Sequence, residues 1–80
     1  MDATEVTELV KEALPECEVQ VQIDGSHYMV VVIGDVFEGL STIKRQQLIN
    51  KALFQKVMDG TIHALHPKAF TPAEWAARQG

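Results

Sequence analysis

Apolar residues recur along this chain at two different periods, and the switches between them mark out its elements. Val6, Leu9, Val10, Ala13 and Leu14 follow the i, i+3, i+4, i+7 spacing of one helix face. Asp2, three residues before Glu5, supplies a capping box, and Pro15 closes the segment. From Cys17 to Ile23 the period drops to two. Cys17, Val19, Val21 and Ile23 point one way, while Glu18, Gln20 and Gln22 point the other, as in a strand with one wet face. Asp24-Gly25-Ser26 is turn chemistry and leads into a second strand, His27 to Ile33, which predicts an antiparallel hairpin. The second strand is apolar on both faces, the pattern of a central position in a sheet.

Gly34 to Gly39 then reads as a loop that carries one aromatic residue, Phe37. Ser41 or Thr42 caps a second helical segment bearing Ile43, Ile49, Ala52, Leu53 and Val57, and Asp59-Gly60 ends it. The periodicity is compatible with one helix or with two divided near Phe54–Lys56. Thr61 to Phe70 reads as a third strand, with Pro67 placing its far half on an edge. Thr71-Pro72-Ala73-Glu74 is a second capping box and opens a short terminal helix through Trp75. The order is α-β-β-α(α)-β-α. A helical crossover from the second strand to the third suits a parallel pair. The expected class is α+β, a three-stranded mixed sheet with helices packed on one face. No internal repeat or linker divides the chain, so residues 1–80 are read as a single domain.

Composition narrows the function classes. With 80 residues, 46% of them hydrophobic and 22% charged, the chain is an ordinary globular sequence, long enough to fold on its own core. Its one cysteine forms no internal disulfide and completes no thiolate metal site alone. The longest apolar run, Tyr28 to Ile33, is far too short to span a bilayer, and the acidic first residues do not resemble a secretory signal. The expected location is therefore cytoplasmic. The net charge of −4 hides an asymmetry: residues 1–38 hold nine acids and one base, and residues 39–80 hold two acids and six bases. Lys44, Arg45, Lys51 and Lys56 fall in a stretch with no acid. Such a helix is either a solvated face or a docking face for an acidic partner or phosphate.

Little in the chain supports catalysis. Ser26 and Ser41 read as turn and cap residues, no carboxylate pair sits on a buried element, and no glycine-rich phosphate loop is present. Three histidines remain. His27 opens the second strand and His63 lies near the start of the third; if these strands pair in parallel, both imidazoles sit at one end of the sheet. Each reads on its own either as a histidine at a strand end or as a metal ligand, and two nitrogens alone leave a zinc or iron centre incomplete. Strand alternation puts His66 on the face opposite His63, which argues against its being a co-ligand. Cys17 reads as a buried core thiol, and Phe37, between two glycines, as a contact for a partner.

Three ordered motifs, FEGLSTIKRQQLIN (Phe37 to Asn50), GTIHAL (Gly60 to Leu65) and FTPAEW (Phe70 to Trp75), resemble the BolA family, and within it the short bacterial IbaG-type members. The resemblance runs from the first helix to Trp75 and implies a fold of the class II KH type. It further implies a non-enzymatic partner of a monothiol glutaredoxin, with which such proteins share a bridging [2Fe–2S] cluster. In that assembly the glutaredoxin cysteine and glutathione supply thiolates and the BolA-type chain supplies nitrogen or one further ligand. The family's C-terminal histidine falls on His63, and the variable His-or-Cys loop position falls on His27. Histidine ligation of one iron raises a cluster's potential and makes the bond sensitive to acid. Phe37, Lys44, Arg45 and Lys51 are the expected partner contacts. Many relatives carry Arg-His in the second helix where this chain has Arg45-Gln46, so a role of that histidine does not transfer. The alternative function, a KH-like nucleic-acid-binding regulator, would use the basic helix, but no GxxG loop exists to clamp a backbone.

Overall fold

The computed structural model describes residues 2–79. Its elements are helix α1 (Ala3–Ala13), strand β1 (Glu18–Asp24), strand β2 (His27–Ile33), a 3₁₀ turn (Asp35–Phe37), helix α2 (Thr42–Met58), strand β3 (Ala64–Phe70) and helix α3 (Pro72–Gln79). The sheet order is β1-β2-β3, with β1 antiparallel and β3 parallel to the central strand. This is the α+β architecture expected, a three-stranded mixed sheet.

Local chemistry explains the boundaries. The Asp2 carboxylate accepts the Glu5 N–H at 2.9 Å, a cap that contributes about 1 kcal/mol, and α1 stops at Leu14, just before Pro15. Val6 and Val10 are fully buried, whereas Ala13 is exposed, so the apolar stripe of α1 is narrower than its spacing suggests. The hairpin closes over Gly25-Ser26, with Asp24 opposite His27. Only Gly25, at φ 61°, has positive φ there, which is the type II′ pattern whose twist suits a hairpin.

The α2 segment is one unbroken helix of 17 residues, capped by Ser41, whose hydroxyl accepts the Lys44 N–H at 3.3 Å. Of its apolar residues Ile49 and Leu53 are fully buried, each contributing roughly 1.5–3 kcal/mol, while Ile43, Phe54, Val57 and Met58 face solvent. The helix needs only one narrow face because it lies across β3 and α1. Beneath it, Tyr28, Val30 and Val32 of β2 are buried with Val6, Val10, Cys17, Phe37 and Ile62. On the opposite face of the sheet, Gln20, Gln22 and His66 are exposed and Met29 and Val31 half-buried. At the far end of β3, Trp75 packs against Phe70 with ring centroids 5.3 Å apart, and the Arg78 guanidinium lies 5.4 Å from the Phe70 centroid.

Cys17 is sealed where β1 begins. Burial pushes its thiol pKa up, with the nearby Glu16 carboxylate adding to the effect. The opposing residue is Gly34, extended and buried, where a β-carbon would collide with the Cys17 sulfur. Glycine is required here by close approach, not by backbone conformation. Gly34→Ala is expected to destabilise the fold by about 1–3 kcal/mol. In a Cys17→Ala background the same substitution should cost less, because the nearest obstructing atom is gone; urea denaturation of the four proteins in the cycle measures the difference. Equal costs in both backgrounds would rule out this contact as the cause.

Candidate functional site

The site grows from the loop between α2 and β3. Gly60 ends α2 at φ 84°, the left-handed conformation that follows a helix C-terminus. Asp59 Oδ1 accepts the Thr61 N–H at 2.9 Å, and the Thr61 hydroxyl, with this N–H adding to it, holds the Asp59 carboxyl below its ordinary pKa. The Ile62 N–H reaches back to the Lys56 carbonyl at 3.0 Å, and the Ile62 side chain is buried in the core. Ala64 then opens β3, paired with His27, and donates its N–H to the Ser26 carbonyl at 3.3 Å. His63 is thus held, exposed, between a buried neighbour and a hydrogen-bonded one. It precedes the strand instead of lying within it, because the chain is committed to the α2 cap and the Ile62 plug until Ala64.

His27 lies at the same end of the sheet, as expected for a parallel pair, and is also exposed. Its ring, however, meets His66: Nδ1 of His27 and Nε2 of His66 are 3.0 Å apart. The ring planes are 14° from parallel and the centroids 5.3 Å apart. That separation equals the N···N distance plus one ring radius at each end, so the rings lie edge to edge along a hydrogen bond and do not overlap face to face. The pairing follows from register. With His27 opposite Ala64 and Met29 opposite His66, His27 and His66 occupy the same solvent face of adjacent strands. Alternation within β3 alone separates His66 from His63; it is silent about the neighbouring strand, where the signal lay.

Two expected partner contacts are corrected by the structure. Phe37 is fully buried in the core, since the 3₁₀ turn tucks it inward and leaves Val36 exposed. Arg45 is largely buried and internally engaged. Its guanidinium meets the Glu74 carboxylate at 2.6 and 3.4 Å, and it donates to the carbonyls of Leu40 at 3.0 Å and Ala69 at 3.4 Å. Lys44 and Lys51 remain exposed on α2. Glu74 Oε1 also accepts the Thr71 N–H at 2.8 Å, and the Thr71 hydroxyl accepts the Glu74 N–H at 3.2 Å, completing the capping box of α3. One carboxylate therefore closes α3 and ties it to α2, and the Arg45 guanidinium holds its pKa below the ordinary value, aided by the Thr71 N–H.

The donor set bears on what the site can hold. Among the described residues no three His, Cys, Asp or Glu side chains gather into a metal-binding group. Cys17 is enclosed and cannot reach the histidines' exposed edge. Two imidazoles at one strand end are thus a fit for part of a shared metal centre and not for a self-contained one.

The sequence pattern of BolA-like proteins matches residues 5–74. The chain belongs to the BolA family. It is 42% identical over 76 residues to the acid stress protein IbaG of Escherichia coli strain K12, spanning 95% of this chain and 90% of that protein. The structure of a bolA protein homologue from Coxiella burnetii superposes with a TM-score of 0.81 at 31% identity, over 95% of this chain and 97% of that one. The BolA domain of SufE1 from Arabidopsis thaliana superposes with a TM-score of 0.77 at 29% identity, over 92% and 98% of the two chains. BolA-like architecture therefore extends over α1 to α3. Among the described residues no helix is long and apolar enough to cross a membrane.

The Arg45–Glu74 tie has a pH signature. A carboxyl whose pKa is lowered by folding contributes stability above its ordinary value of 4.5, and that contribution is lost as pH falls through the depressed value. Glu74→Gln is expected to lower the melting temperature at pH 7, with the gap from wild type closing in acid below pH 4.5. A gap independent of pH would show that the charge plays no part.

Proposed function

We propose that this BolA-family protein is a non-enzymatic, cytoplasmic iron–sulfur trafficking or regulatory partner of a monothiol glutaredoxin, and that it co-ligates a [2Fe–2S] cluster bridging the two proteins. The observation that carries the reading is the placement of two exposed imidazoles, His63 and His27, at one end of a parallel strand pair in a chain whose only thiol is buried. Half the donors are present; the thiolates come from the glutaredoxin cysteine and from glutathione held by that partner. His63 is the principal ligand, because the Ile62 plug and the Ala64 pairing fix its backbone on both sides. His27 is the second, presented by a tight hairpin turn.

The bound cluster supplies electron transfer or a unit for delivery to a client. What this chain's own residues do is orient nitrogen donors and present a docking face. Lys44 and Lys51, both exposed on α2, form that face. Arg45 stands outside it, spent on Glu74, which also thins the basic surface that a nucleic-acid-binding regulator would need.

Reconstitution with a cytosolic monothiol glutaredoxin and glutathione, followed by visible absorption and circular dichroism, tests the assignment. His63→Ala is expected to abolish the heterodimer cluster spectrum, and His27→Ala to weaken it less severely. An unchanged, equally stable cluster in the His63 variant contradicts the ligand role.

A further inference from the structure

We infer that His66 is a positioning residue for His27: it fixes the plane of the His27 ring and accepts its Nδ1 proton, leaving Nε2 of His27 as the metal-facing nitrogen. The inference deepens the proposed function and rests on His27 being a ligand. The geometry comes from the sheet itself. Parallel register places both side chains on the open face, with His66 two residues beyond the partner of His27. The 3.0 Å N···N separation and the nearly parallel ring planes put the two nitrogens in line, the arrangement in which one proton is shared between them.

Two neutral imidazoles can share that proton in two ways, and only one leaves His27 able to ligate through Nε2. If His66 donates, the proton of His27 sits on Nε2 and that nitrogen has no lone pair to offer. If His27 donates from Nδ1, its Nε2 keeps its lone pair and, on the other side of the ring, points away from His66. Which ring nitrogen of a histidine binds metal is set by the hydrogen bond made by the other. Such an outer partner is usually a carboxylate or a carbonyl, and here an imidazole takes its place. An exposed histidine at a hairpin turn otherwise keeps its rotamer freedom and must lose it on ligation. A partner on the next strand removes that cost in advance.

The first test uses the isolated chain. With both rings neutral, 15N NMR should detect a scalar coupling across the hydrogen bond between Nδ1 of His27 and Nε2 of His66, absent in His66→Ala; no coupling in the wild type overturns the inference. The second test uses the cluster-bearing heterodimer challenged with an iron chelator. His66→Ala is expected to speed cluster loss by about 10-fold. His66→Glu, whose carboxylate only accepts, should restore a lifetime near that of the wild type, whereas His66→Lys, which only donates, should not. Equal lifetimes for all four proteins, with His27→Ala still destabilising, leave the ligand role standing and overturn the role of His66. If His27→Ala itself leaves the lifetime unchanged, the ligand role of His27 fails and this inference falls with it.

Discussion

In a parallel strand pair both strands begin at the same end, so the alignment of His27 with Ala64 decides which side chains meet there. Shifting β3 by one residue would turn His66 into the core and bring Leu65 out to water. The register is held from two directions. On one side the Ala64 N–H bonds the Ser26 carbonyl in the hairpin turn; on the other, Ile62 is buried and its N–H is tied to the end of α2. The crossover helix is therefore more than a connection. Its last turn sets where β3 can start, and so where His63 emerges.

The same economy explains the one cysteine. Cys17 is packed against Gly34 so closely that the opposing residue carries no side chain, and burial pushes its thiol pKa up. It belongs to the core. The side chains left to the exposed end of the sheet are imidazoles, so the proposed cluster has to take its thiolates from a second protein. The −8 and +4 halves of the sequence acquire a place in this picture, with the exposed lysines of α2 on the positive half.

Much of the fold was legible because it is written in local chemistry. The Asp2 cap, the alternation from Cys17 to Ile23, the Gly25 turn and the Thr71–Glu74 capping box each depend on residues within a few positions of one another. What was not legible depends on partners distant in sequence. Phe37 sits in a glycine-flanked stretch that resembles an exposed loop, yet it fills the core because the strand and helix around it leave an apolar space. Arg45 reads as one of four surface cations until Glu74, far along the chain, folds back onto it. The unbroken course of α2 follows from packing against β3 and α1, not from its own periodicity. His66 was separable from His63 by alternation, but its approach to His27 appears only once the register across two strands is known.

Nitrogen ligation from this chain to a cluster held jointly with a glutaredoxin is the central claim, and the nuclei themselves can report it. The chain is labelled with 15N-histidine, assembled with unlabelled monothiol glutaredoxin and glutathione, and the cluster is reduced and read by pulsed electron paramagnetic resonance. The account predicts strong hyperfine coupling to 15N, lost or redistributed when His63 is replaced by alanine. A cluster formed in the heterodimer with no coupling to labelled histidine nitrogen would contradict it.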